Sequence, residues 1–134
     1  MKILLILLFS ILLFSCQKDK RNIEYSMPTP QGFLEWVILK VEGENSIDIN
    51  DTLKLNVYCP RTSSCDYVSH LLPDKHGNRI LVKAFGNTLK DSPCLWFFLP
   101  QVVQYKFVSD RAGIFTLGFI KRDGTIINFT VNVK

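Results

Sequence analysis

Apolar and polar side chains alternate with a period of two along much of this chain. Leu53, Leu55, Val57 and Cys59 are interleaved with Thr52, Lys54, Asn56 and Tyr58, the pattern of a strand with one face buried and one wet. Val103, Tyr105 and Phe107 repeat it, as do Phe115, Leu117 and Phe119, and then Ile127, Phe129, Val131 and Val133. Between the last two sets lies Asp123-Gly124, a dipeptide that turns hairpins. Cys65 to Leu72 predicts another strand, Pro73 to Asn78 a connecting loop and Arg79 to Phe85 its return. Two runs do not alternate: Trp36 to Val41 and Leu95 to Leu99 are apolar at almost every position, which predicts strands covered on both faces. Ile47 and Ile49 mark a further short alternation before the turn signal Asn50-Asp51. About seven to nine short strands separated by turn signals, without helical spacing beyond the N-terminal segment, predict an all-β fold, a β-sandwich.

The exception is the beginning. Lys2 precedes an apolar run from Ile3 to Phe14, interrupted only by Ser10 and closed by Ser15 and Cys16. A membrane-spanning helix needs roughly 20 apolar residues, so a run this short, meeting Gln17-Lys18-Asp19-Lys20-Arg21, predicts a cleaved signal helix over residues 1–15. Its end, Leu13-Phe14-Ser15-Cys16, resembles the bacterial lipobox, although Phe14 is bulkier than the usual occupant. That resemblance implies a diacylglycerol on the Cys16 thiol, cleavage before it, and acylation of the new amino end. Residues 16–32, polar and carrying Pro28 and Pro30, predict a flexible tether. Extended at about 3.3 Å per residue it reaches roughly 50 Å. Residues 33–134 remain for one domain, with most of the ten phenylalanines available for its core.

Loss of the signal leaves an excess of about three basic side chains, too few to predict nucleic-acid binding. Lipidation of Cys16 leaves three cysteines in an oxidising compartment. Cys59 continues an inward-facing set and reads as a buried thiol, which favours Cys65 with Cys94; the other pairings and the fully reduced chain are the alternatives. By the chain-entropy estimate such a bridge contributes about 3–4 kcal/mol.

At Asp110-Arg111-Ala112-Gly113-Ile114-Phe115-Thr116-Leu117 the chain resembles the corner between the fifth and sixth strands of immunoglobulin-like domains. Phe115 stands where those domains carry a tyrosine, and Leu117 where they carry a core cysteine. The whole order of lipobox, tether, sandwich with a mid-chain cysteine pair and closing hairpin resembles small Bacteroidetes-type lipoproteins of unassigned role. The resemblance implies an immunoglobulin-like sandwich and residence in the cell envelope, on the outer membrane, with no reaction attached.

Catalytic or metal chemistry would have to draw on His70, His76, Cys59, Cys65, Asp66 and Asp74. On a regular strand Asp66 and His70 share a face at about 13 Å, too far for one ion, and no familiar zinc, redox, serine-hydrolase or phosphate-loop spacing is present. No catalytic residue, metal or cofactor beyond the lipid is expected. The Asn128-Phe129-Thr130 sequon falls within a strand and reads as incidental. The remaining candidate is Trp96-Phe97-Phe98, with Trp36 as a possible companion: consecutive rings cannot all enter one core, so some would face outward to a protein or glycan partner. The leading expectation is a non-enzymatic, membrane-anchored binding module. A structural envelope lipoprotein or assembly subunit without its own ligand is the alternative, and a hydrolytic or metal-dependent enzyme the third.

Overall fold

A computed structural model describes residues 28–90 and 93–134. The expected signal helix and Cys16 lie outside them, as does most of the expected tether. Among the described residues there is no helix, and nine strands form two sheets packed face to face. In chain order they are β1 (Leu34–Trp36), β2 (Lys40–Glu42), β3 (Ser46–Ile47), β4 (Thr52–Cys59), β5 (Asp66–His76), β6 (Arg79–Thr88), β7 (Gln101–Val108), β8 (Gly113–Ile120) and β9 (Ile126–Val133). One sheet runs β2-β4-β7, and the other β1-β6-β8-β9-β3 with β5 alongside β6.

The alternating segments become the strands they predict. Leu53, Leu55, Val57 and Cys59 from β4 meet Tyr105 and Phe107 from β7, Phe115, Leu117 and Phe119 from β8, and Val131 and Val133 from β9, all buried. Tyr105 packs edge-on to Phe119 at 5.7 Å and Phe107 lies tilted against Phe115 at 5.3 Å, within the range aromatic pairs favour. Asp123-Gly124 turns the β8–β9 hairpin, with Gly124 at φ 81° and the Asp123 carboxylate accepting from the Thr125 amide and hydroxyl.

Strand β6 organises its sheet. Along one edge it pairs with β5 throughout; along the other it pairs in parallel with β8 over Arg79–Val82 and antiparallel with β1 over Ala84–Gly86. Its inward residues Ile80, Val82 and Ala84 join the main core. Leu81 and Phe85, on the opposite face, are also buried, with Ile120. Gly118 makes room there, since a Cβ would stand 2.8 Å from Leu81 and 3.0 Å from Ile126.

Three expectations are corrected. Trp36 to Val41 is not one strand: β1 belongs to one sheet and β2 to the other, and the chain crosses between them with Ile38 fully buried. An apolar run also describes a segment crossing between two sheets, here with Ile38 buried and Leu39 half exposed. Pro73 to His76 is strand, so the connection shrinks to Gly77-Asn78 with Gly77 at φ 62°. Pro73 is tolerated because β5 pairs only with β6 and lies on an edge. Leu95 to Leu99 forms no strand beyond a single bridge from Trp96 to Ser63.

Where the immunoglobulin-like corner would use a tyrosine hydroxyl, Ser109 holds the turn. Its buried hydroxyl donates to the Arg111 carbonyl at 2.8 Å and accepts from the Arg111 amide, while its carbonyl accepts from the Asn50 amide. The two sheets are also stitched at their open edges: the Gln101 side chain accepts from the Val68 amide at 2.8 Å and donates to the Val68 carbonyl at 2.9 Å. It takes the place of a strand neighbour for β5.

Candidate functional site

Cys65 and Cys94 form a disulfide, and Cys59 is a buried free thiol. The bridge pins the connection between β6 and β7 onto the loop between β4 and β5. Backbone bonds extend the clamp: Leu89 donates to Cys65, Ser64 to Leu95, and Phe97 to Thr62, and the Leu95 amide donates to the Ser64 hydroxyl at 3.0 Å. With those amide groups committed, and with Pro93 and Pro100 bounding the segment, the run cannot join a sheet ladder.

Clamping the backbone leaves the side chains outside. Leu95 is 74% exposed, Trp96 80%, Phe98 83% and Leu99 66%, with Leu89 nearby at 51%. Phe97 differs: it is half-buried, and the Arg61 guanidinium lies 5.2 Å from its ring centre, a cation–π arrangement. Trp96 and Phe98 thus present their faces while Phe97 serves as the wedge that seats the loop. Trp36 is no companion to them. It packs on the core edge with its indole N–H donating to the Pro60 carbonyl at 2.9 Å. Leu89, Leu95, Leu99 and Arg61 belong to this tip too, and sequence reasoning missed them. The proline brackets around a charge-free stretch, Pro93 to Pro100, were the available signal.

Asp66 braces the tip from below. It is almost fully buried, with Oδ2 accepting from the Thr62 amide and hydroxyl and the Ser63 amide at 2.8–3.0 Å, and Oδ1 from the Thr88 hydroxyl at 2.8 Å. Burial alone would raise its pKa, but the bonds from Thr62, Thr88 and Ser63 outweigh that and hold the carboxyl below the usual range. Beside it a cleft of about 540 Å³ is lined by Leu34, Trp36, Pro60, Thr62, Thr88 and Arg122.

The other candidate groups are dispersed. A bulge at Ser69 shifts the register of β5, so Asp66 points inward and His70 outward, and the shared face expected of a regular strand is lost. His70 lies edge-on to the Phe33 ring at 4.7 Å, and His76 pairs with Asp74 at 2.9 Å. Burial pushes the Cys59 thiol up to about 12, well away from a nucleophilic thiolate. Among the described residues no three His, Cys, Asp or Glu side chains are placed to hold a metal ion.

Comparison with protein-family models, with curated proteins and with solved structures returns no match to this chain.

Proposed function

We propose that this chain is a lipid-anchored, non-enzymatic module of a bacterial cell envelope, an immunoglobulin-like sandwich that works by contact through the tip formed by Leu95, Trp96, Phe98 and Leu99. One observation carries the reading: four large apolar side chains, each about two-thirds or more exposed, are held on a backbone fixed by a disulfide and by hydrogen bonds to the neighbouring loop. Exposed apolar area costs solubility. Rigidity removes the ordering cost that a contact would otherwise meet. The dispersal of the histidines and acids supports the non-enzymatic part, and the sequence from Lys2 to Cys16 supports the anchor. Of the two partner classes expected from sequence, a glycan platform is the weaker, because no side chain from Pro93 to Pro100 carries a hydrogen-bonding group apart from the indole N–H of Trp96. The lipid-anchored structural subunit without a ligand is the competing reading.

Oxidative footprinting of Trp96 separates the two. In the purified protein Trp96 is expected to label strongly, and in the intact envelope to be protected. Equal labelling in both settings would leave the tip without a contact and favour the structural subunit. Cys16→Ala is expected to move the protein from the membrane-bound to the soluble fraction with its thermal stability unchanged.

A further inference from the structure

The tip and the tether leave the sandwich at the same end. Gly32, the last tether residue, accepts through its carbonyl from the Asn87 side chain at 2.9 Å, and Leu34 pairs with Gly86. These contacts lie at the C-terminal end of β6, where Leu89 begins the connection that carries Trp96 and where Thr88 pairs with Asp66. The end of β4 and the start of β7 meet there as well, through Cys59 opposite Gln101. Eleven residues, 17–27, lie between Pro28 and Cys16, a span of at most roughly 40 Å. The chain thus sets out toward Cys16 from the side of the tip.

Basic side chains rim the tip. Arg61 and Lys90 flank the tip, and Lys121 and Arg122 sit in the adjoining β8–β9 turn, Arg122 on the cleft beside Thr62 and Thr88. Among the described residues none of these four takes part in a salt bridge. Among the described residues, Asp66 is occupied by Thr62, Ser63 and Thr88, Asp123 by Thr125, and Glu35, on the cleft, by Lys83. At the far end, where β4 starts, Glu44, Asp48, Asp51 and Lys134 ring a shallow polar depression, and Lys75, Arg79 and Arg111 stand at the neighbouring strand ends. Leucine and phenylalanine around a tryptophan, rimmed by arginine and lysine, is the composition of a protein segment resting in the headgroup zone of a bilayer.

We infer that the occupant of the tip is the membrane itself: Leu95, Trp96, Phe98 and Leu99 enter the interfacial layer of an anionic phospholipid bilayer, with Arg61, Lys90 and Arg122 at the phosphates. This rests on the anchored reading above and names the surface that the tip meets. The lipid on Cys16 supplies attachment; the tip supplies orientation, laying the sandwich with the start of β4 outward.

The test uses the mature lipidated protein reconstituted into vesicles of phosphatidylethanolamine and phosphatidylglycerol. A Trp36→Phe background makes Trp96 the sole tryptophan; subtracting a Trp96→Phe sample from wild type reads the same signal without touching Trp36. Trp96 emission is expected to shift to shorter wavelength and to be quenched most by lipids brominated near the headgroup end of the acyl chain. Replacing Arg61, Lys90 and Arg122 together by glutamine is expected to reduce the quenching to the level seen in uncharged phosphatidylcholine vesicles. Protein that floats with the vesicles while Trp96 stays unquenched would overturn the inference and leave the anchor standing. Protein that does not float at all would overturn both. Protection of Trp96 in the native envelope without quenching in protein-free vesicles would assign the tip to a protein or glycan instead. A blue shift that grows with protein concentration in the absence of vesicles would assign it to a second copy of the chain.

Discussion

Trp36 to Val41, broken only by Lys40, and Leu95 to Leu99 are two apolar runs of the domain that end in different environments. The first passes between the sheets, burying Ile38 completely and half-burying Trp36, Val37 and Val41. The second stays outside, with only Phe97 partly covered. Hydrophobicity is similar in both; the difference lies in what their backbones bond to. The first run finds a strand partner at each end, β6 for Leu34–Trp36 and β4 for Lys40–Glu42. The second is bounded by prolines and bonded to a neighbouring loop, which faces its side chains away from the core.

Three measurements sharpen that contrast, beginning with the largest effect. Ile38→Ala is expected to cost about 4 kcal/mol of unfolding free energy, the upper part of the range for a fully buried aliphatic side chain, whereas Trp96→Ala should change stability by less than about 0.5 kcal/mol. Chemical denaturation of both variants checks this, and comparable losses would erase the distinction between the runs. Next, the paired replacement Cys65→Ser with Cys94→Ser is expected to cost about 3 kcal/mol. It should also accelerate amide exchange at Leu95 and Phe97 more than in β8 or β9. The smallest effect is that of Asp66. Its folded pKa is depressed, so its stabilisation is present above the unfolded value near 4 and is lost as pH falls through the folded value. Asp66→Asn is expected to lower stability at neutral pH by about 1–3 kcal/mol and to flatten the acid limb of the curve of melting temperature against pH.

The alternating strands were legible because period two assigns each side chain to a face without knowledge of the partner: β4, β8, β9 and the Asp123-Gly124 turn follow from sequence alone. The Cys65–Cys94 bridge was legible by the same means, since Cys59 continues the inward set of β4. Sheet switching at Ile38 was not, because a threading segment and a central strand share one composition. Nor was the bulge at Ser69, which parts His70 from Asp66 and depends on the register against β6. For the tip, crowding of Trp96, Phe97 and Phe98 implied that some rings face outward. It could not say that Phe97 is the one turned in, because that depends on the Arg61 guanidinium over its ring, distant in sequence. Leu95 and Leu99 were missed for the same reason.

The Gln101 amide that fastens onto Val68 has one more effect. An edge strand with a bare row of donors and acceptors invites another molecule to lengthen the sheet, and repetition of that step makes fibrils. Here the first rung available on β5 is already taken, and further along Pro73 offers no donor while Lys75 would set like charges against each other in a stack of identical chains. The long open side of β5 is thereby closed to lengthening by a further strand.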